Sequence, residues 1–203
     1  MSINYRLNNR GDTLIEVLFA FAVFSLIAVG AMSIMNEGTA TAQRALEISL
    51  VRNEIDAQAE TLRFLNASYI AAFQSGGGAT YLGPSAQWSS IQTNTVASTS
   101  SLDNCTPPDK SFVVNTRTAE FVDPTGVGYP QSAKTFSQVV YNGDAVKSVE
   151  GIWIEAISPS SVASGSQSNA GYIDFHIRAC WDSPGQSTPM TLGTIVRLYE
   201  PRG

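Results

Sequence analysis

Hydrophobic and polar positions divide this chain into three regimes. From Val17 to Asn36 the residues run without a charge, and their number is about the ~20 that carry a helix across the hydrocarbon core of a bilayer. Beyond Asn36 the pattern becomes amphipathic. Ile48, Val51, Ile55, Leu62, Leu65, Tyr69 and Ala72 recur at spacings of three, four or seven, which places them on one helical face. Arg52, Asp56, Glu60 and Arg63 fall on the other face, with Glu60 and Arg63 spaced to pair at i,i+3. No proline occurs before Pro84, so the pattern predicts a single helix from near Thr13 to near Phe73, ~90 Å long at ~1.5 Å per residue. Asn36-Glu37-Gly38-Thr39 is its weakest point, because glycine costs about 1 kcal/mol relative to alanine in a helix interior. A kink or fraying is expected near Gly38.

The third regime begins at Gly76-Gly77-Gly78, which ends the helix and opens a Ser/Thr-rich connector. A phosphate-cradling loop would need a strand before it and a helix after it, the reverse of this context. The remainder alternates at strand period. Segments 111–117, 135–141, 146–157, 172–181 and 194–199 read as strands, with Asn142-Gly143 as a hairpin turn. Segment 172–181 alternates most cleanly. Ile173, Phe175, Ile177, Ala179 and Trp181 point one way, toward the amphipathic half of the helix; Asp174, His176, Arg178 and Cys180 point the other. The resulting division is 1–11 leader, 12–36 apolar half-helix, 37–73 amphipathic half-helix, 74–110 connector and 111–203 β-sheet head. The fold class is α+β, a long N-terminal helix packed on a C-terminal antiparallel sheet.

Composition narrows the partners. The 203 residues are 43% hydrophobic and carry a formal charge of −5, enough for one domain and one extra element. Arg6 and Arg10 precede the apolar run and Glu37 follows it, so the positive-inside tendency keeps the N-terminus cytoplasmic and exports the rest. An acidic chain is not an obvious nucleic-acid binder, although a local patch is not excluded. Cys105 and Cys180 lack metal-site spacing; in an exported domain they suggest one disulfide, with two buried thiols as the alternative. Such a bridge would clip the 103–108 loop across the outer face of the sheet. His176 is the lone histidine, so a His-rich metal site is impossible and Ser–His–Asp catalysis would depend on it alone. No catalytic, cofactor or metal site is expected, and an enzyme is the least favoured class. Trp153, His176, Arg178, Arg197 and Tyr199 share one face by alternation, as cross-strand neighbours or as a contact surface. The sequons Asn66-Ala67-Ser68 and Asn104-Cys105-Thr106 carry little weight.

The approach to the apolar run is the most informative stretch. Gly11-Asp12-Thr13-Leu14-Ile15-Glu16-Val17 sets a glycine after a short basic leader and a lone glutamate at the edge of the span. A carboxylate there costs free energy that a simple anchor does not need to spend. A secretory signal peptide is the rival, with Ala40-Thr41-Ala42 as its cleavage site. Its apolar region would be unusually long and its approach interrupted by Asp12 and Glu16.

The stretch resembles the N-terminus of type IV prepilins and pseudopilins. The resemblance covers residues 6–35 in motif, extends to Phe73 as a helix, and is architectural beyond. It implies cleavage after Gly11 by a prepilin peptidase, which would leave ten basic against 17 acidic side chains, a charge of −7. It also implies that Glu16 meets the new N-terminal amine, on Asp12, of a neighbouring subunit. Thr13-Leu14-Ile15 matches the family pattern. Asp12 departs from it, since phenylalanine with a methylated amine is usual there. The family also loosens its helix locally on assembly, for which Gly30 and Gly38 are the candidates. The implied partners are the peptidase, other pilin subunits and the cytoplasmic membrane, with DNA and host surfaces open as contacts of the head. The leading expectation is a structural subunit of a pilus-like filament used in adhesion, motility or DNA uptake. The alternatives are a pseudopilin of a secretion or competence machine and a single-pass surface binding protein that never assembles.

Overall fold

The computed structural model describes residues 12–75, 81–99, 105–123, 133, 135–158 and 171–201. The chain falls into two compact units, Met1–Gln43 and Arg44–Gly203. One helix, α1 (Asp12–Gln74), contributes to both. A second helix, α2 (Pro84–Thr93), is followed by β1 (Val113–Asn115), β2 (Glu120–Val122), β3 (Gln138–Asn142), β4 (Ala145–Glu150), β5 (Ile152–Ile157), β6 (Tyr172–Trp181) and β7 (Met190–Tyr199). The expected architecture, a long N-terminal helix and an antiparallel C-terminal head, is the observed one.

In the first unit, α1 presents large apolar side chains on all sides from Leu14 to Met35. Helical backbone continues through Gly30 and Gly38. A Cβ at either glycine would meet nothing within 4 Å, so packing within the chain does not demand a glycine there. The Thr39 and Thr41 hydroxyls bond back to the carbonyls of Asn36 and Glu37, an arrangement that slightly weakens and bends helices.

In the second unit, Val51, Ile55, Ala59, Leu62 and Leu65 of α1 enter one core with the inward residues of β5 and β6, and Ile48 and Tyr69 pack at its margin. The face expected from helical spacing is the buried one. Along β6, burial alternates as anticipated: Ile173, Phe175, Ile177, Ala179 and Trp181 lie within the core, while Asp174, His176 and Arg178 lie on the other side, half-buried. Cys180 is buried on that outer side, in a small separate cluster with Trp153 and Cys105.

Among its described residues the head holds three antiparallel sheets, β1-β2, β3-β4 and β5-β6-β7. The expected strand 146–157 is two strands because Gly151 adopts φ +61°. A Cβ there would stand 2.1 Å from the Cys180 carbonyl oxygen. Its own carbonyl accepts from the Cys180 N–H at 2.7 Å. Gly151 thus redirects the chain from the β3-β4 hairpin onto β6. In that hairpin Asn142 pairs with Ala145, so Gly143 and Asp144 form the turn, one residue later than the Asn-Gly pair suggests. A register shift at Val140/Tyr141 follows, and the extra residue on β4 is Lys147.

Within the region expected to be a connector, α2 starts on Pro84 at its first turn and buries Trp88 and Ile91 in the main core. The Trp88 ring lies 5.5 Å from that of Phe175, and its indole N–H donates to Glu200 at 3.0 Å. Gly76-Gly77-Gly78 and most of the 158–171 connector lie outside the described residues.

Candidate assembly and contact surfaces

Among the described residues, the apolar half of α1 and the outer face of the head are the candidate regions. In the first, Glu16 is exposed between Ile15 and Val17. Among the described residues, α1 is the one helix long and apolar enough to cross a membrane. Gly11 and the basic leader lie outside the described residues, as does the Asp12 side chain. A carboxylate amid such side chains is tolerable in lipid or among helices only when it is paired.

A polar seam holds the second half of α1 to the head. Gln58, fully buried, donates to the Val114 carbonyl at 2.9 Å and accepts from the Val114 N–H at 2.8 Å. One side chain thereby serves both backbone groups of a short strand. Glu47 accepts from the Trp181 indole at 3.1 Å and the Ser183 hydroxyl at 2.6 Å. Arg44 donates to the Pro184 carbonyl at 3.2 Å. Asn66 donates to the Tyr199 carbonyl at 3.1 Å; its burial and this bond remove the first sequon from consideration as an accessible acceptor. Burial pushes the Glu54 carboxyl above its ordinary value, offset in part by hydrogen bonds from Gln58 and the Val139 backbone. The available signal was a polar residue recurring in step with the apolar face: Glu47, Gln58 and Asn66 each adjoin a core position.

The outer face is built from β5, β6 and β7 in register. Trp153 stands opposite Arg178, and Glu155 opposite His176; Asp174 stands opposite Arg197, and Tyr172 opposite Tyr199. The five residues expected to share this face do so, but Trp153 is buried with the cysteines rather than exposed. Cys105 and Cys180 form a disulfide with Cα atoms 5.7 Å apart. Arg197 grips Asp174 with two hydrogen bonds of 2.7 Å and lies 4.1 Å from the centre of the Tyr172 ring. That guanidinium holds the Asp174 carboxyl below its usual value. Arg178 reaches Glu155 at 3.3 Å. Burial, then the Arg178 charge, lowers the His176 pKa, against the pull of Glu155 and Asp174. The face is therefore polar and internally neutralised, and its arginines and carboxylates are committed to one another.

A long N-terminal helix followed by antiparallel strands is a pilin-like arrangement. The family model described as the prokaryotic N-terminal methylation motif matches residues 6–32. The chain thus carries the type IV prepilin signature over that stretch. That signature is structural rather than enzymatic, and it implies processing by a prepilin peptidase and assembly with other pilins. No curated protein and no solved structure matches the chain significantly.

Proposed function

We propose that this chain is a structural subunit of a type IV pilus-like filament, cleaved after Gly11 and assembled through the apolar half of α1. The observation that carries this reading is the combination of the methylation motif with Glu16 at the head of an apolar helix that, among the described residues, nothing in its own unit covers. In the membrane, lipid would cover residues 14–35, with the leader cytoplasmic and the head exported. In a filament, neighbouring helices would replace the lipid.

Glu16 supplies register. Cleavage would create an amine on Asp12, and a buried carboxylate paired with a buried amine costs far less than either alone. Apolar helices can slide past one another with little change in burial, whereas a charge pair is satisfied at one axial offset. The Asp12 side chain adds a second carboxylate beside that amine, which leaves methylation of this N-terminus a separate matter from cleavage. Local loosening at Gly38 would let the apolar half adjust while the polar seam keeps the head fixed to residues 44–66. The back-bonded threonines and the open surroundings of Gly38 support that role.

Glu16→Ala tests the proposal. The variant is expected to be cleaved and to reside in the membrane like the wild type, yet to be absent from the sheared surface fraction. Wild-type protein retained wholly in the envelope would favour a pseudopilin. Unchanged behaviour of Glu16→Ala in the sheared fraction would favour a surface protein that never uses the glutamate.

A further inference from the structure

β7 leaves one edge of its sheet open among the described residues. β7 is the terminal strand of its sheet, and among the described residues no strand pairs with its outer side. Exposed edges in soluble heads are usually protected by lysine, proline or a bulge. β7 has none of these: its ten residues pair with β6 in unbroken register, contain no proline or lysine, and carry one charge, on Arg197, which Asp174 already holds.

The ladder shows which backbone groups face outward. The Glu200 N–H donates to the Gly171 carbonyl at 2.7 Å. Antiparallel pairs alternate between bonded and non-bonded, so Ile173/Leu198, Phe175/Val196 and Ile177/Thr194 are bonded pairs. The N–H and C=O groups of Thr191, Gly193, Ile195, Arg197 and Tyr199 therefore point away from β6. Asn66 reaches the Tyr199 carbonyl from that outer side, in agreement with the alternation.

We infer that this edge pairs with the β7 edge of a second copy, antiparallel, about a two-fold axis through Ile195. That register sets Ile195 against Ile195 and Gly193 against Arg197, all outward-bonding positions, and brings Thr191 opposite Tyr199, whose carbonyl Asn66 already holds. It is self-complementary in shape as well as in hydrogen bonding. On the outer face a hollow of about 500 Å3 opens around Gly193, rimmed by His176, Arg178, Thr191 and Ile195, because Gly193 has no side chain to fill it. Arg197 of the second copy stands beside that hollow, still gripping its own Asp174. Arg178 keeps Glu155, so the approach adds no uncompensated charge. Ile195, 62% exposed in one copy, and Tyr199, 65% exposed, become covered. Any other register that keeps bonding positions opposed moves the axis off Ile195. Centred on Arg197, for example, it would set two arginines face to face. The contact closes on itself as an isologous dimer. It lies in the head and does not involve Glu16 or cleavage after Gly11, so it stands or falls separately from the filament reading; between filaments it would join heads side to side.

Cysteine cross-linking of the full-length chain in detergent tests the register. Bonded antiparallel partners have Cα atoms about 5.5 Å apart, within disulfide range. Ile195→Cys is expected to form a covalent dimer under mild oxidation roughly tenfold faster than Thr191→Cys, whose two copies the register holds far apart. Thr191→Cys mixed with Tyr199→Cys should cross-link to each other. Ile195→Lys, at an exposed position, should leave a folded monomeric head by sedimentation. Association through the apolar helix alone would cross-link positions 191 and 195 at equal rates. That result, or an Ile195→Cys protein that stays uncross-linked, overturns the inference.

Discussion

Replacing Gln58 with alanine strikes the seam between helix and head at its most buried point. The amide satisfies both backbone groups of Val114 and is itself fully buried. Truncation strands a buried N–H and a buried C=O, each worth about 1–3 kcal/mol when left without a partner. Lost packing adds to this, and partial entry of water subtracts from it. The sum is a loss of about 3–5 kcal/mol, a large share of the ~5–15 kcal/mol that holds a typical domain folded. Gln58→Glu refines the test. It keeps the acceptor for the Val114 N–H but sets a carboxylate against the Val114 carbonyl and beside Glu54, so its deficit should shrink as pH falls and the new carboxyl becomes a donor. Urea denaturation in mild detergent, read by tryptophan fluorescence, measures both variants. The three tryptophans Trp88, Trp153 and Trp181 are all buried in the head, so the signal reports the head alone. A Gln58→Ala stability within about 0.5 kcal/mol of wild type, the range of ordinary surface substitutions, would refute the reasoning.

Gly151→Ala should prevent correct joining of the β3-β4 hairpin to the main sheet, because its Cβ would overlap the Cys180 carbonyl at a positive φ. Yield of folded, protease-resistant head checks this, with Gly143→Ala, which meets no neighbour within 4 Å, as the milder comparison. Reducing the bridge between Cys105 and Cys180, 75 residues apart, should lower stability by up to about 4–5 kcal/mol on the chain-entropy account; a urea midpoint unmoved by reductant would contradict it. The folded-state pKa of His176 lies below its ordinary 6.5. The unfolded chain therefore binds more protons in that window, and stability should fall as pH drops from about 6.5 toward the folded value. His176→Gln should flatten that segment of the stability–pH curve.

Elements whose burial follows a simple period were legible in the sequence. The buried stripe of α1 and the alternation of β6 both come from one-sided packing, which leaves a direct mark on the order of residues. Elements set by a single backbone conformation were not. Gly151 splits one apparent strand in two, yet in sequence it is one glycine within a β-prone run. The helix α2 was hidden by its serines, weak helix formers, although Pro84 at its start and Trp88 and Ile91 three apart are the marks by which it could have been found. β7 reaches back to Met190 across Gly193, a residue that discourages strand assignment. On the outer face, alternation grouped the right residues but did not reveal that Trp153 lies beneath Cys105 and Cys180. The polar seam was harder to read for a different reason: Gln58 and Glu47 look like solvent-side residues until another element supplies their partners.

The same division holds for function. The motif that includes Gly11, Asp12 and Glu16 was recognisable because few residues carry it, and the family model matches the same stretch. Contacts made by the head depend on surfaces that only the folded sheet assembles, so they follow from register and burial rather than from any motif.

On the proposed function, the chain is processed after Gly11 and assembled through the helix this exposes. Intact mass and N-terminal sequence of the protein recovered from the native envelope and from the sheared surface fraction test it most directly. Processing after Gly11 would leave an N-terminus at Asp12 in both fractions, with any methyl group visible as an added mass. An N-terminus at Met1 or Ser2 would reduce the helix to a membrane anchor, and one just after Ala42 would mean a secreted soluble head; either would contradict it.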